Sequence, residues 1–256
     1  MSNDKPLAGR IALVTGASGG LGEHFARTLS RSGASVVLAA RRMEKLRALQ
    51  TQIEAEGGQA FSAEMDVTSV ESVKSAFAAI EAHYGTACDI LINNSGVGQG
   101  SWFVNTSEEE WASIVDTNFT GVWRVAQHAS NALIKAQKPG SIVNIASITA
   151  LQPSPMISGY AASKAAVDHL TRNMAYELAR NDIRVNAIAP GYFITPINEH
   201  YLTSESGQRM KKRIAMKRFG QYSDLDGALL LLASDAGRYM TGTTIVVDGG
   251  HTLTPL

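Results

Sequence analysis

The chain of 256 residues has one cysteine, Cys88, so it forms no internal disulfide and carries no multi-cysteine zinc or redox motif. That scarcity predicts a reducing, intracellular setting. An excess of one charge is also lacking, since Lys plus Arg and Asp plus Glu each number 23. With no long-range field to draw a polyanion, nucleic acid and anionic membrane surfaces are not expected partners. Long hydrophobic runs are missing as well. The longest, Ala228 to Ala233, covers six residues, against the roughly 20 that a membrane helix needs. Residues 1–6 contain no apolar signal region, and a soluble, cytoplasmic protein is expected.

What is present is an ordinary globular composition, 45% apolar and 18% charged, in a chain of the length of one large α/β domain. No linker, low-complexity stretch or repeat divides residues 1–256. Short β-branched runs alternate with segments of helical period. Strands are predicted at Ile11 to Val14, Ser35 to Ala40, Gln59 to Met65, Asp89 to Asn93, Ser141 to Ala146, Ile183 to Ile188 and Thr243 to Val247. Helices are predicted at Gly20 to Ser32, Met43 to Gly57, Ser69 to Tyr84, Ser107 to Lys138, Ser158 to Arg180 and Asp224 to Ala233. This alternation predicts an α/β fold, a single-domain Rossmann-type doubly wound parallel sheet of about seven strands with helices on both faces. After Pro190-Gly191 the pattern loosens, and residues 192–217 are expected to form a lid over a substrate.

Thr15-Gly16-Ala17-Ser18-Gly19-Gly20-Leu21-Gly22 follows the first strand and opens the first helix, where missing side chains let a pyrophosphate approach the helix N–H groups. About 20 residues on, where an NAD-binding fold places a carboxylate against the ribose 2′-OH, the second strand ends in Arg41-Arg42. Two guanidinium groups suit a 2′-phosphate, so NADP(H) is favoured over NAD(H); the alternative is a solvated cap on the next helix. Asp66-Val67 and Asn93-Asn94-Ser95-Gly96 stand at the ends of the third and fourth strands, where open sheets bind ligands or where the asparagines simply make turns. Of seven tyrosines only Tyr160 has a lysine four residues on, Lys164, on the same helix face. An ammonium there is expected to lower the phenol pKa, and Ser147 ends the fifth strand at the same rim. Cys88 is read as a small core residue. The six histidines show no metal-ligand spacing and are read as surface or helix residues.

In this order the residues resemble the short-chain dehydrogenase/reductase family from about Lys5 to Gly250. The family's T-G-x3-G-x-G is similar to Thr15 to Gly22, and its catalytic Asn, Ser, Tyr and Lys to Asn118, Ser147, Tyr160 and Lys164. Its nicotinamide-side motif resembles Pro190-Gly191 with Thr195, and its N-N-A-G reads Asn93-Asn94-Ser95-Gly96 here. The resemblance implies that Ser147 holds a carbonyl, Tyr160 protonates it, Lys164 binds the nicotinamide ribose and Asn118 holds a relay water. It further implies a cofactor site of Gly16, Ser18, Gly20, Leu21, Gly22, Arg41, Arg42, Asp66, Val67, Asn93, Gly96, Tyr160, Lys164, Pro190, Gly191, Phe193 and Thr195, with no metal. By analogy it implies a homotetramer packed through the two long helices and the Asp248-Gly249-Gly250 end.

The expected function is NADP(H)-dependent hydride transfer between nicotinamide and a small-molecule carbonyl or alcohol. The stretches Ser95 to Val104 and Ile148 to Ser158 are uncharged, and with Tyr192-Phe193-Ile194 they predict an apolar or aromatic ketone or secondary alcohol. A 3-oxoacyl thioester reductase of fatty-acid type fits the same motifs, with Lys211-Lys212-Arg213 either docking an acidic carrier or forming a solvated face. A non-catalytic nucleotide sensor is the reading from another class, and it gives no reason for an intact acid/base set.

Overall fold

The β-branched runs of the sequence become seven parallel strands in one sheet, ordered β3-β2-β1-β4-β5-β6-β7. The strands are β1 (Ile11–Thr15), β2 (Ser35–Ala40), β3 (Gln59–Glu64), β4 (Ile90–Asn93), β5 (Gly140–Ile145), β6 (Ile183–Pro190) and β7 (Thr244–Val247). A computed structural model describes residues 5–98, 100–196 and 198–253 of the chain.

Alternate residues of each strand feed two different cores, as a two-residue period requires. Ala12, Val14, Val36 and Leu38 face Phe25 and Leu29 of α1 (Gly20–Arg31), Leu46 and Ile53 of α2 (Met43–Ala55), and Leu229 and Leu232 of α9 (Asp226–Ala233). Leu13, Val37, Ala39 and Leu91 face Val73 and Ile80 of α3 (Val70–Tyr84), Val125 and Leu133 of α5 (Gly121–Lys135), and Ala175 of α6 (Ser158–Leu178). Helices therefore cover both faces. Cys88 lies in the second core, where burial pushes its thiol up to about 12 and leaves it unreactive. No helix among the described residues is long and apolar enough to cross a membrane.

The chain winds outward from β1 through β2 to β3, then returns to the other side of β1 as β4. The carboxyl ends of β1 and β4 thus splay apart at a switch point, and the turns after β1, β2, β3, β4, β5 and β6 gather along one rim.

Two segments depart from the sequence reading. The single helix expected from Ser107 to Lys138 is broken into α4 (Glu108–Val115), a π-helical turn at Asp116–Thr120, and α5. The π turn leaves Asn118 buried and brings Gly121 against Val67, where a Cβ on Gly121 would lie 2.8 Å from Val67 Cγ2. The region after Pro190 contains two short helices, α7 (Glu199–Thr203) and α8 (Glu205–Lys211).

Candidate active site

The glycine turn after β1 is fastened from the neighbouring strand end. Thr15 Oγ1 accepts from Asn94 N at 3.0 Å and Ser95 N at 3.1 Å, and Asn94 Nδ2 donates to Thr15 O at 3.0 Å. Gly16 has a φ of 68°, and a Cβ there would meet Asn94 Nδ2 at 2.9 Å, so the close approach of the two turns requires glycine. Gly22 faces the carbonyl of Gly16 with no room for a side chain. No side chain caps the N-terminus of α1, although Ser69 caps α3 and Ser107 caps α4. Its leading N–H groups, among them those of Gly20, Leu21 and Gly22, thus stand open to an anion.

Arg42 lies across this turn, its NH2 group 2.8 Å and its Nε 3.2 Å from Ser18 Oγ. Arg41 is 73% exposed and reaches Asp66 Oδ2 at 4.0 Å. Burial pushes the Asp66 carboxyl up, but hydrogen bonds from Thr68 and the Arg41 and Arg124 charges outweigh it and hold the group below its ordinary value. Val67 is buried and its carbonyl accepts from Arg124. Helix dipole, open donors and two cations form a cradle that fits a phosphorylated dinucleotide.

Asn93 does not share that surface through its side chain. Its amide donates to Asn144 Oδ1 at 3.0 Å and Val122 O at 3.3 Å, and Asn144 Nδ2 donates to Thr171 Oγ1 at 2.9 Å. These buried groups link α5, β4, β5 and α6 in one chain. The sequence motif joined two asparagines that do different work: Asn94 fastens the turn and Asn93 registers the helices.

Across the crevice α6 carries Tyr160 and Lys164. Lys164 is 4% exposed, and its Nζ donates to Ile145 O at 2.7 Å and lies 5.7 Å from the centre of the Tyr160 ring. Burial pulls its ammonium down to about 8. Tyr160 is held above its ordinary value, chiefly by burial; a hydrogen bond with Ser147 opposes the shift and Tyr192 adds to it. The expectation that Lys164 lowers the phenol pKa is therefore corrected. Desolvation sets the direction, and the neighbouring ammonium is itself depressed and engaged by a carbonyl. Asn118, at the centre of the π turn, accepts from Val97 N at 2.8 Å and donates to Val97 O at 3.0 Å and Ser163 Oγ at 3.3 Å. Gly96 lies between it and Lys164; a Cβ there would be 3.3 Å from Asn118 Oδ1 and 3.8 Å from Lys164 Nζ.

On the lid side, Gly191 packs so closely on Asp248 that a Cβ would lie 2.7 Å from its Cα, and Pro190 ends β6 beside Val247. Thr195 donates from N and Oγ1 to Asn198 Oδ1 at 2.8 and 3.1 Å. Pro196 Cδ is 3.6 Å from where a Gly20 Cβ would stand, so the segment after β6 runs beside the glycine turn. Phe193 is a correction: its ring is buried in the first core against Gly220, because the segment needs an apolar anchor, and it presents no side chain to a ligand. His251, expected at the surface or on a helix, opens the 3-10 turn His251–Leu253 and is buried there, its ring 5.2 Å from that of Tyr192. Trp102, Phe103 and Val104 are 56%, 75% and 85% exposed, so they line open space. Phe103 and Trp111 border a recess of about 220 Å³ that also touches Ser158 at the start of α6. The sequence offered no signal for Ser163, Val97 or Thr149 as partners of the site, because each acts through a contact made only in the fold.

A parallel sheet with a glycine turn at its switch point, facing a half-buried tyrosine, a buried lysine and a serine, defines the class of dinucleotide-dependent oxidoreductases. A family model described as Enoyl-(Acyl carrier protein) reductase matches residues 16–252. The chain is 39% identical over 248 residues to gluconate 5-dehydrogenase of Gluconobacter oxydans, covering 96% of each. It is 40% identical over 251 residues to 3beta-hydroxysteroid dehydrogenase 1 of Eggerthella lenta, covering 97% of this chain and 96% of that one. The crystal structure of a gluconate 5-dehydrogenase from Burkholderia cenocepacia J2315 in complex with NADP and tartrate superposes with a TM-score of 0.94 at 36% identity, covering 98% and 99% of the two chains. The chain belongs to the short-chain dehydrogenase/reductase family and is an NAD(P)-dependent oxidoreductase acting on CH–OH and C=O groups.

The Lys164 shift has a measurable consequence. Its folded-state value of about 8 lies below the ordinary 10.5, so at neutral pH the fold carries the cost of a buried ammonium. Between these values the unfolded chain binds the extra proton, and stability rises with pH. Urea denaturation should show the stability of the wild type, relative to Lys164→Met, increasing by about 2–3 kcal/mol from neutral pH to above pH 10. A difference that stays flat would contradict the buried charge.

Proposed function

We propose that the protein is an NADP(H)-dependent reductase or dehydrogenase that interconverts a ketone and a secondary alcohol of apolar or aromatic character. The observation that carries this reading is the placement of the half-buried Tyr160 phenol beside Ser147 and the buried Lys164, at the same rim as the Arg42-covered glycine turn. In the reductive direction Ser147 donates a hydrogen bond to the substrate carbonyl and Tyr160 passes its proton to that oxygen. Lys164 binds the ribose hydroxyls and supplies positive charge as the phenolate forms. Asn118 has both amide hydrogens committed, which leaves one Oδ1 lone pair for a water leading toward Lys164. Bound nicotinamide supplies the hydride. Alcohol oxidation reverses each transfer.

Gly16, Ser18, Gly20, Leu21 and Gly22 cradle the pyrophosphate side, and Arg41 and Arg42 take the 2′-phosphate. Asp66 and Val67 border the adenine, Gly96 lets the ribose approach, and Pro190, Gly191 and Thr195 border the nicotinamide. Residues 192–217 act as the lid of a single domain. Exposed Trp111, Trp123 and Ile134 on α4 and α5, and Val246 on the edge strand β7, support a homotetramer.

Tyr160→Phe should lower kcat by about 100-fold or more while cofactor affinity, read by fluorescence titration, changes by less than about twofold. Retention of more than about a tenth of the activity would remove Tyr160 as the proton donor.

Wild type should show the higher kcat/KM with NADP(H), and Arg42→Ala should reduce that value by about 10- to 100-fold with little effect on NAD(H), as expected for one charge-assisted hydrogen bond to phosphate. Equal losses with both cofactors would contradict the assignment.

The exposed Trp102, Phe103 and Val104 support an apolar substrate, as does the name of the Eggerthella lenta relative, a hydroxysteroid dehydrogenase. A neutral aromatic keto ester should be reduced with a kcat/KM at least about tenfold above that of its free 2-keto acid, because a carboxylate beside the reacting carbon would be desolvated without a partner. The reverse order would favour the polar acid class that the gluconate enzymes' names describe.

A further inference from the structure

A serine hydroxyl has one proton to give and two lone pairs to fill. At Ser147 both acceptor positions are met by one neighbour. Thr149 N donates to Ser147 Oγ at 3.1 Å, and Thr149 Oγ1 donates to it at 3.0 Å. The backbone explains the pairing. Ser147 is extended, with φ −166° and ψ 156°, and caps the 3-10 turn Ile148–Ala150 that starts where β5 ends, so its side chain folds over the N–H two residues ahead. Ser147 is only 7% exposed, so bulk water does not replace either bond. With its lone pairs filled, its proton is left for the remaining partner, Tyr160.

We propose that Thr149 is a positioning residue that fills the lone pairs of Ser147 Oγ and so fixes Ser147 as a donor toward the reacting oxygen. The inference rests on the reading of Ser147 and Tyr160 given above and adds a direction to it. Because Ser147 cannot accept from Tyr160, the phenol proton is not trapped between the two hydroxyls. In turnover the substrate carbonyl receives one hydrogen bond from Ser147 and the proton from Tyr160. Removing the Thr149 hydroxyl opens a lone pair on Ser147. Tyr160 then donates into it, an arrangement that favours the neutral phenol and turns its proton away from the substrate. The variant loses rate in reduction. In oxidation, where the phenolate takes the alcohol proton, its activity appears at higher pH.

The test compares full-length wild type with Thr149→Val, Thr149→Ser and Thr149→Ala, measuring kcat and KM across pH in both directions with one ketone and its alcohol. Thr149→Val is expected to lower kcat by about tenfold with cofactor KM within about twofold, and to move the rising limb of alcohol oxidation up by about half a pH unit or more. Thr149→Ser, which keeps the hydroxyl, is expected to stay within about twofold of wild type on every readout. An unmoved limb with unchanged kcat in Thr149→Val would overturn the proposal. So would a Thr149→Ser as impaired as Thr149→Val, which would assign the effect to packing. If Thr149→Val does not fold by circular dichroism, the Ser and Ala variants decide by the same limits, since they differ by one oxygen atom. Tyr160→Phe is run beside them: full activity there overturns the underlying reading and this inference with it, whereas an inactive Tyr160→Phe beside an unaffected Thr149→Val removes Thr149 alone.

Discussion

Lys164 carries an ammonium into a place where, among the described residues, no carboxylate receives it. Its Nζ donates to the carbonyl of Ile145 at 2.7 Å, and burial has pulled its pKa down to about 8. A buried charge with so little compensation is costly, so the surrounding structure must hold it from several sides at once. That task falls to the buried amide chain. Thr171 on α6 bonds Asn144 on β5, Asn144 bonds Asn93 on β4, and Asn93 bonds the carbonyl of Val122 on α5. Every link is satisfied, so the network rigidifies the sheet and fixes the register of α6 against it. Tyr160 and Lys164 inherit their positions from this register, one turn apart on the same face.

The same sheet delivers the second half of the site. Because all its strands run one way, every strand ends at the same rim, and the reversal of order between β1 and β4 opens a crevice there. Thr15, Asn94 and Ser95 close the gap between the two strand ends with three hydrogen bonds. The glycine turn is thereby held in shape before any ligand arrives, which lowers the entropy lost on binding.

Most of this was legible because it is periodic or local. The strand and helix order follows from hydrophobic spacing, and Gly16 to Gly22, Tyr160 and Lys164 are recognised by fixed offsets within one turn or helix. The misreadings fall where a side chain answers to a distant partner. Asn118 sits in a segment of helical period, and nothing in that period announces a π turn; its amide answers to Val97, about 20 residues away in sequence. Phe193 stands among lid residues in sequence, yet its ring completes the core beside Gly220. The direction of the Tyr160 shift follows from desolvation, which an offset of four residues does not report; the offset reports only proximity to an ammonium.

The division between rigid rim and exposed loops separates turnover from selectivity. Tyr160, Lys164, Ser147 and Asn118 are placed by strands, by buried hydrogen bonds and by the π turn, so their geometry does not depend on what is bound. Trp102, Phe103 and Val104 instead remain largely exposed, at a standing cost that folding does not recover. Covering an apolar side chain of this size is worth about 1.5–3 kcal/mol, so a substrate that buries two or three of them gains most of its binding energy away from the reacting carbon. Such remote binding energy can hold the carbonyl against Ser147 and Tyr160 without any change to the rim.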